Sequence, residues 1–344
     1  MLPQSLPQAK YFAANGGEPS LRWGMLGTGW VAGHFSRSMA EHSAQRMTAV
    51  ASRTLARAEA FAAQGGIDKA YGSYESLIDD PDIDVVYVAL EQSEHLTWGL
   101  RAIAAGKHLL IEKPLATTAA DAQTLVDAAR GAGVMMMEAM WSRYHPHTLA
   151  IRALIAEGVI GDVRSVTADH GQAISADPNH RLLRPGTGGG ALLDLGIYPV
   201  QLDSMVLGAP TSITAIGALT ASGVDAYSTL VLGHEGAEHS TLMTSILTHT
   251  PTVAAISGTV ARVEMTGPFH IPNGFRVATP DLFAPTIAWE DTTGVSILGG
   301  FSWEATAFAT FVGESRLESP LHTHEETVSI LATIDEARRQ LGAR

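Results

Sequence analysis

Two short runs in the first half of the chain hold residue types that could do chemistry. Residues 111–114 read Ile-Glu-Lys-Pro and place Lys113 at the end of an apolar stretch, directly before a proline. Residues 27–32 read Gly-Thr-Gly-Trp-Val-Ala, the glycine spacing of a turn that can hold the pyrophosphate of a dinucleotide. Together the two runs predict a nicotinamide-dependent enzyme with a reactive lysine beside the cofactor.

The segments around the glycine turn fit this interpretation. An apolar run at 21–26 predicts a strand before the turn, and 31–40 predicts a helix after it, which is the context that the motif requires. Gly27 would allow the tight turn, Gly29 the close approach of the pyrophosphate, and Ala32 the close packing of helix on strand. The helix would present its free N–H groups to the phosphates. The predicted cofactor contacts in this turn are Gly27, Thr28, Gly29, Trp30 and Val31.

The end of the second predicted strand, at 47–51, indicates which dinucleotide is bound. NAD-specific folds carry an acidic residue about 20 residues after the glycines, where it holds the ribose 2′-hydroxyl. This chain has Ser52 and Arg53 there instead. Arg53 can pair with a 2′-phosphate, Ser52 can donate a hydrogen bond, and Arg57 can add a second positive charge. We therefore predict NADP rather than NAD. The alternative is that Arg53 is a solvated residue at a helix start.

Strand and helix patterns continue to alternate up to residue 138. Further helices are predicted at 55–64, 74–78, 95–105 and 119–132, and further strands at 85–90, 108–112 and 134–138. This alternation predicts an α/β fold with a parallel sheet, which binds ligands at the carboxyl ends of its strands. The residues near those ends that we predict to contact the cofactor are Leu90, Gln92, His95, Glu112 and Lys113.

The composition argues against several other classes of protein. Hydrophobic residues make up 46% of the chain and charged residues 17%, so a large core is expected rather than disorder. The net charge of -13, without a basic run, argues against nucleic-acid binding. The chain has no cysteine for disulfides or thiolate metal sites, and no apolar run reaches the roughly 18 residues of a membrane helix. We expect a cytoplasmic protein.

The ordered set of motifs resembles one family. The glycine turn, Ser-Arg at 52–53, Glu-Lys-Pro at 112–114 and Gly-Gly-Gly-Ala-Leu-Leu-Asp at 188–194 follow the order typical of the Gfo/Idh/MocA oxidoreductases. The resemblance runs from about Leu21 to the C-terminus. Residues 137–146 are similar to the branch of dimeric dihydrodiol dehydrogenases and aldose dehydrogenases.

The resemblance implies a division into domains. We expect an N-terminal arm at 1–20, a dinucleotide-binding Rossmann domain at 21–145, and a substrate-binding and oligomerisation domain at 146–344. The arm is either a disordered tail or a segment that packs on a neighbouring subunit. The last domain would be of α/β type with a large, mostly antiparallel sheet. One face of that sheet would cover the active site, and the other would form a homodimer or homotetramer. Its strands are predicted at 163–168, 212–218, 226–232, 238–247, 253–257 and 261–265, with a final helix at 325–341.

The resemblance also implies the catalytic residues. In the family, the position matching Tyr198 exchanges the substrate proton. A phenol has a pKa near about 10 and is a poor base at neutral pH. The Lys113 ammonium would lower that pKa and could hydrogen-bond the reacting oxygen. Asp194 lies four residues before Tyr198, on the same helix face, and would orient the lysine or the substrate hydroxyl. A cis peptide bond is expected between Lys113 and Pro114.

Several further side chains are candidates for the substrate pocket, although packing or surface roles are the alternatives for them. The histidine pairs at 145/147 and 322/324 have no third ligand at a recognisable spacing, so no metal site is predicted. The predicted substrate-binding residues are Trp141, Arg143, His180, Arg181, Asp194 and Tyr198.

These observations predict an NADP-dependent oxidoreductase. It would transfer hydride between the nicotinamide and a carbinol or carbonyl of a sugar, a sugar derivative or a cyclic diol. Its direction and its individual substrate stay open. The alternatives are an enzyme that retains its cofactor and transfers hydride between two sugars, and a non-catalytic NADP-binding sensor. The expected partners are a small-molecule substrate and further copies of the chain, with no nucleic acid and no membrane.

Overall fold

A computed structural model describes residues 6, 10–174, 177, 179–281 and 283–343. The chain forms two compact units. The first unit comprises Tyr11–Tyr144 and Val295–Thr327. The second unit comprises the described residues of Met1–Lys10, His145–Gly294 and Val328–Arg344. No helix in these described ranges is long and apolar enough to cross a bilayer.

The first unit contains a six-stranded sheet in which every pair of neighbours is parallel. Its strand order is β3-β2-β1-β4-β5-β6, which confirms the parallel α/β sheet expected from the alternation. The strands are β1 (Arg22–Leu26), β2 (Arg46–Ala51), β3 (Lys69–Tyr71), β4 (Val85–Val88), β5 (His108–Glu112) and β6 (Met136–Ala139). The helices are α1 (Trp30–His42), α2 (Leu55–Gly65), α3 (Tyr74–Ile78), α4 (His95–Ala104) and α5 (Ala119–Ala132).

The residues of these strands explain why the sheet forms here. All four residues of β4 are buried, as expected for a parallel strand covered on both faces. The core beside it is aromatic: the rings of Phe35 and Tyr87 stack at 4.1 Å, and Trp23 packs 5.1 Å from Phe308. The short edge strand β3 is an addition to the predicted elements, because three half-buried residues give no periodic pattern.

The second unit contains an eight-stranded sheet in the order β14-β13-β12-β11-β7-β10-β9-β8. Only the β7–β10 pair of this sheet is parallel, so the expected mostly antiparallel sheet is confirmed. Helices α6 (Pro146–Ala156) and α7 (Ile197–Leu207) belong to the same unit. The strands are β7 (Val163–Gly171), β8 (Ser212–Leu219), β9 (Asp225–Gly233), β10 (His239–Ser245), β11 (Ala254–Gly258), β12 (Arg262–Met265), β13 (Phe275–Ala278) and β14 (Ile287–Trp289).

Two neighbouring strands at one end of this sheet were not predicted. β13 and β14 are short, and prolines and glycines interrupt the sequence around them. Their pairing buries two aromatic side chains, because the rings of Phe275 and Trp289 stack at 5.4 Å with an interplanar angle of 9°. Tertiary packing thus stabilises strands whose local sequence carries no strand signal.

The segment 295–327 belongs to the first unit, although the sequence-based division placed it with the substrate-binding domain. It carries a 3₁₀ turn (Ile297–Gly300) and helix α8 (Phe301–Gly313), and both pack on α1. The last helix, α9 (His324–Leu341), follows. The domain boundaries drawn from the sequence stay a prediction, and 295–327 is the segment that the structure groups differently.

The described part of the predicted N-terminal arm packs on its own chain. The Phe12 ring lies 5.5 Å from Phe311 and 6.1 Å from Tyr144, and Tyr11 lies 6.3 Å from Trp303. The two alternatives given for the arm from the sequence, a disordered tail and a segment that packs on a neighbouring subunit, stay predictions. Residues 1–5 and 7–9 of the arm lie outside the described residues.

A buried carboxyl group lies in the core of the first unit. Glu304 on α8 is fully buried, and neither carboxyl oxygen has a hydrogen-bond partner among the described residues. Burial, together with the nearby charge of Glu112, raises the pKa of Glu304 well above its ordinary value. We therefore expect Glu304 to hold its proton at neutral pH, because a neutral carboxyl group costs far less to bury than a carboxylate.

Replacing this acid should change how stability depends on pH. Because the folded-state pKa of Glu304 is raised, its contribution to stability is lost as pH rises above the unfolded value of about 4.3, at about 1.4 kcal/mol per pKa unit. We expect Glu304→Gln to be more stable than wild type at pH 8 and closer to it at pH 5, as measured by denaturant unfolding. The exposed Glu59→Gln should show no such trend. A Glu304→Gln curve parallel to wild type from pH 5 to pH 8 would contradict a protonated Glu304.

Candidate active site

The glycine turn of the first unit can accommodate a pyrophosphate. Gly27 has a φ of 108°, and a Cβ there would lie 2.3 Å from the Ala89 carbonyl oxygen, so only glycine fits. A Cβ at Gly29 would meet nothing within 4 Å, which leaves open space in front of α1. No side chain caps the start of α1, and Trp30 is 69% exposed there. The turn therefore has the open, uncapped helix start that phosphate binding requires.

The residues predicted to hold the adenosine end lie after β2. Ser52 is buried, whereas Arg53 and Arg57 are exposed. Burial and the Glu94 charge raise the pKa of Tyr74, and the charges of Arg53 and Arg57 oppose that rise. The guanidinium groups of Arg53 and Arg57 thus both lie near the Tyr74 phenol, beyond the carboxyl ends of the strands. This placement is compatible with a phosphate contact.

Lys113 follows β5 directly, and its peptide bond to Pro114 is cis. A buried histidine ties this turn to the neighbouring strand end: His95 Nδ1 lies 2.9 Å from the Pro114 carbonyl oxygen, and Nε2 lies 3.2 Å from that of Leu90. Burial lowers the pKa of His95, so the ring is neutral and donates to one of the two carbonyls. The structure gives His95 a positioning role, and its predicted contact with the cofactor stays a prediction.

A buried glutamate fixes the same turn from the other side. The Leu115 N–H donates to Glu138 Oε1 at 2.8 Å, and the Thr327 hydroxyl donates to Oε2 at 3.3 Å. His322 Nε2 lies 3.4 Å from the same oxygen. Burial raises the pKa of Glu138 to about 7, against these hydrogen bonds. Sequence reasoning noted Glu138 only as a strand-end residue, and no local pattern links it to Leu115.

The remaining predicted residues of the first unit are largely buried. Glu112 and Gln92 are buried, and Glu112 Oε1 accepts a 2.5 Å hydrogen bond from the Tyr87 hydroxyl. Trp141 stacks on Phe301 at 4.3 Å. These residues lie at or after strand ends, as predicted. The cofactor or substrate contacts predicted for them stay predictions.

Arg143 lies in the interior of the first unit. It is fully buried, pairs with Glu326 at 2.5 Å, and donates to the Leu321 carbonyl at 3.1 Å. This packing favours a structural role for Arg143. The substrate contact predicted for it, like that predicted for Trp141, stays a prediction.

In the second unit, two glycines of the triplet at 188–190 are closely packed. A Cβ at Gly190 would lie 2.1 Å from Asp225 Oδ1, and one at Gly189 would lie 2.5 Å from the Arg184 carbonyl oxygen. Asp225 is buried, and its Oδ2 accepts a 2.7 Å hydrogen bond from the Leu192 N–H. A side chain at Gly189 or Gly190 would therefore clash with the backbone or with a buried carboxyl group, so both positions require glycine.

Asp194 lies on a π-helical turn, Leu192–Gly196, rather than on the regular α-helix expected from the sequence. Helix α7, which carries Tyr198, begins at the next residue. Both Asp194 carboxylate oxygens accept hydrogen bonds at 3.1 Å from Nη2 of Arg181. Arg181 was predicted to bind substrate, and the structure places it on the candidate catalytic carboxylate. His180 precedes the short 3₁₀ turn Arg181–Leu183 and caps it, because its Nδ1 accepts a hydrogen bond from the Leu182 N–H at 3.3 Å.

Two histidines that sequence reasoning left without a role surround Tyr198. The Tyr198 ring centroid lies 4.4 Å from that of His270 and 5.5 Å from that of His170. The two imidazoles stack on each other at 4.3 Å. Tyr198 and His170 are buried, and His270 is half-buried. The three residues come from distant parts of the sequence, so no spacing could have brought them together.

Metal chemistry is not indicated by the side-chain clusters. Within the described ranges, no group of three or more His, Asp or Glu side chains could hold a metal ion. The buried pair His145 and His147 lies 5.5 Å apart, ring to ring. Burial lowers the pKa of His147 to about 4, so both rings are neutral packing groups near the Phe269–His270 segment.

Comparison with known proteins finds relatives that match most of the chain. The chain is 36% identical over 334 residues to a trans-1,2-dihydrobenzene-1,2-diol dehydrogenase from Mus musculus, covering 94% of this chain and 97% of that protein. It is 26% identical to the aldose-aldose oxidoreductase structure from Caulobacter crescentus, with a TM-score of 0.82 and coverage of 94% and 98%. A 3-ketoreductase from Actinomadura kijaniata, solved with NADP and TDP-benzene, is also 26% identical, with a TM-score of 0.81 and the same coverage.

Two family models match successive parts of the chain. Residues 21–140 match an oxidoreductase family with an NAD-binding Rossmann fold, and residues 148–264 match the GFO/IDH/MocA C-terminal domain. The resemblance carried by the ordered motifs is thereby confirmed. The chain belongs to the Gfo/Idh/MocA family and is an NAD(P)-dependent oxidoreductase acting on CH–OH groups.

Proposed function

We propose that the protein is an NADP-dependent oxidoreductase that transfers hydride between the nicotinamide and a carbinol or carbonyl of a sugar, a sugar derivative or a cyclic diol. The observation that carries the proposal is the buried Tyr198 phenol, which follows the Asp194–Arg181 ion pair on the same helical segment. A phenol in such a place is suited to exchanging a proton with a substrate hydroxyl. The mouse relative is a diol dehydrogenase, and the Caulobacter neighbour acts on aldoses.

The proposed roles follow from the chemistry of each side chain. The bound cofactor would supply the hydride acceptor or donor. Tyr198 takes the hydroxyl proton during oxidation and returns it during reduction. The Lys113 ammonium would stabilise the phenolate form of Tyr198 by its positive charge. Asp194, itself held by Arg181, orients the lysine or the reacting hydroxyl. The cytoplasmic location expected from the sequence stays a prediction.

A turnover assay tests the proposal directly. We expect absorbance changes at the NADPH band with aldoses, keto-sugars, polyols or cyclic diols, assayed in both directions. Tyr198→Phe should lower kcat by about 10²- to 10⁴-fold, because it removes the proton-exchanging hydroxyl and keeps the ring. The exposed Tyr11→Phe is the matched control. Near-normal turnover by Tyr198→Phe would refute the proton-transfer role, and cofactor binding without any turnover would favour a sensor.

The preference for NADP has its own test. Arg53→Ala should weaken NADPH binding at least about 10-fold and leave NADH binding nearly unchanged, because only NADPH carries the 2′-phosphate. Arg46→Ala is the control, since Arg46 is exposed at the opposite end of β2. Titration of each dinucleotide against intrinsic fluorescence measures both affinities. Equal losses for the two cofactors, or none, would contradict the assignment.

A second candidate is an enzyme that keeps its cofactor and passes hydride from one sugar to another. The similarity to the aldose-aldose oxidoreductase favours it. It predicts that NADP(H) stays bound through purification and that turnover requires a donor sugar and an acceptor sugar together. The same purified protein used for the turnover assay distinguishes the two cases.

We also propose a homodimer or homotetramer formed through the outer face of the eight-stranded sheet. Ile216, Tyr227 and Val231 are 66%, 46% and 47% exposed on β8 and β9. Val231 is flanked by Thr214 and Thr241 on the adjacent strands, so the face is apolar to weakly polar. Large exposed patches of this kind mark association surfaces.

A charge on this face should therefore dissociate the oligomer. We expect light scattering after size exclusion to give a dimer or tetramer for wild type and a smaller species for Val231→Glu. The matched control is Leu55→Glu, which places the same charge on an exposed leucine of the first unit and should not change the mass. A monomeric wild-type protein would refute the proposal.

A further inference from the structure

The rings beside Tyr198 form a stack with a fixed order. His270 makes the two close contacts, at 4.4 Å with Tyr198 and 4.3 Å with His170, while His170 and Tyr198 are 5.5 Å apart. The interplanar angles at His270 are 36° and 29°. His270 therefore packs its faces on both neighbours, and its ring edge carries the two nitrogen atoms, of which Nδ1 is buried.

Hydrogen bonds hold His170 as the base of this stack. Its Nδ1 lies 3.2 Å from the Leu195 carbonyl oxygen, which can only accept, so Nδ1 carries the proton. Its Nε2 then accepts from the Gln172 side-chain amide at 3.0 Å. Leu195 lies on the π-helical turn next to Asp194, so the orientation of His170 is coupled to the segment that carries the candidate catalytic carboxylate.

The chain on either side of His270 is also fixed. The Phe269 N–H donates to the Thr252 carbonyl at 2.9 Å, and His147 Nε2 lies 3.2 Å from the Phe269 carbonyl oxygen. Phe269 itself is buried, whereas His270 is only half-buried. An imidazole held by its backbone and by two ring contacts, with part of its surface accessible, is preorganised to recognise a ligand.

We propose that His270 is a specificity residue that hydrogen-bonds a ring hydroxyl of the substrate, so that the enzyme prefers polyhydroxylated rings of the aldose type over cyclic diols with a hydrocarbon ring. This inference rests on the proposed function, because it concerns the substrate of the same Tyr198 site.

The preference follows from the polar groups around Tyr198. A hydrocarbon ring beside Tyr198 would offer no hydrogen bond to the His270 imidazole, whereas a sugar ring brings hydroxyl groups that can donate to it or accept from it. Sites that hydrogen-bond a substrate hydroxyl discriminate strongly against analogues that lack it. The C–H face of a sugar ring can still pack on the imidazole face.

Two substitutions at His270 separate its hydrogen bonding from its stacking. His270→Phe keeps a flat ring and removes both nitrogens, and His270→Asn keeps polar atoms and removes the ring. We measure kcat/KM with NADP for D-glucose, D-xylose and trans-1,2-dihydrobenzene-1,2-diol. We expect wild type to prefer an aldose. His270→Phe should lower kcat/KM for the aldoses by about 10- to 100-fold and change that for the diol by less than about 3-fold. His270→Asn should keep the aldose preference.

The outcomes distinguish this inference from the proposed function. A wild-type preference for the diol, or an unchanged aldose-to-diol ratio in His270→Phe, overturns the specificity role and leaves the oxidoreductase intact. No turnover of any carbinol by wild type overturns the proposed function and the inference with it. His249→Phe, an exposed histidine of the same unit, should keep the wild-type ratio. If His270→Phe does not fold, the aldose-to-diol ratios of kcat/KM for wild type and for His270→Asn decide whether His270 has the specificity role.

Discussion

The hydrogen bond from the Leu115 amide to the buried Glu138 carboxylate is the contact on which the lysine side of the site depends. A turn at a strand end has few backbone partners of its own, and a buried N–H without a partner costs about 1–3 kcal/mol. Glu138 supplies that partner, and His95 supplies another at the Pro114 carbonyl. The two side chains come from β6 and α4, so the position of Lys113 is determined by packing across the sheet rather than by its own short loop.

The second unit uses the same principle with different groups. Asp225 at the start of β9 accepts from the Leu192 amide and so fixes the segment that leads to Asp194 and Tyr198. The absence of a side chain at Gly190 is what lets this carboxylate approach. In both units a buried acid bonded to backbone positions a residue that is proposed to do chemistry. The amide hydrogen bond offsets only part of the cost of desolvating that acid, because burial still raises the pKa of Glu138 and of Asp225.

Sequence reasoning identified the parts of the molecule with local signals. The bounds of β5, α3 and α5 agree with the prediction, because apolar periodicity and end signals such as the left-handed Gly133 are contained in each segment. The glycine turn carried a local signal too. The His170–His270–Tyr198 stack did not, because its members are 28 to 100 residues apart and each has an ordinary local pattern. No element was predicted around Glu304, which is fully buried on α8.

The π-helical turn at Leu192–Gly196 has a consequence for how this sequence can vary in length. Such a turn contains one residue more than the α-helix that it interrupts. Deleting any one of its five residues would restore α-helical geometry and rotate everything before it by about 100° relative to α7. If Gly196 were the residue deleted, the Asp194 side chain would turn by this angle relative to Tyr198, and the Leu195 carbonyl would move away from His170. An insertion or deletion of one residue, which a surface loop can absorb, would therefore rotate one end of this segment relative to the other. The length of the segment is constrained for that reason, in addition to the identity of its residues.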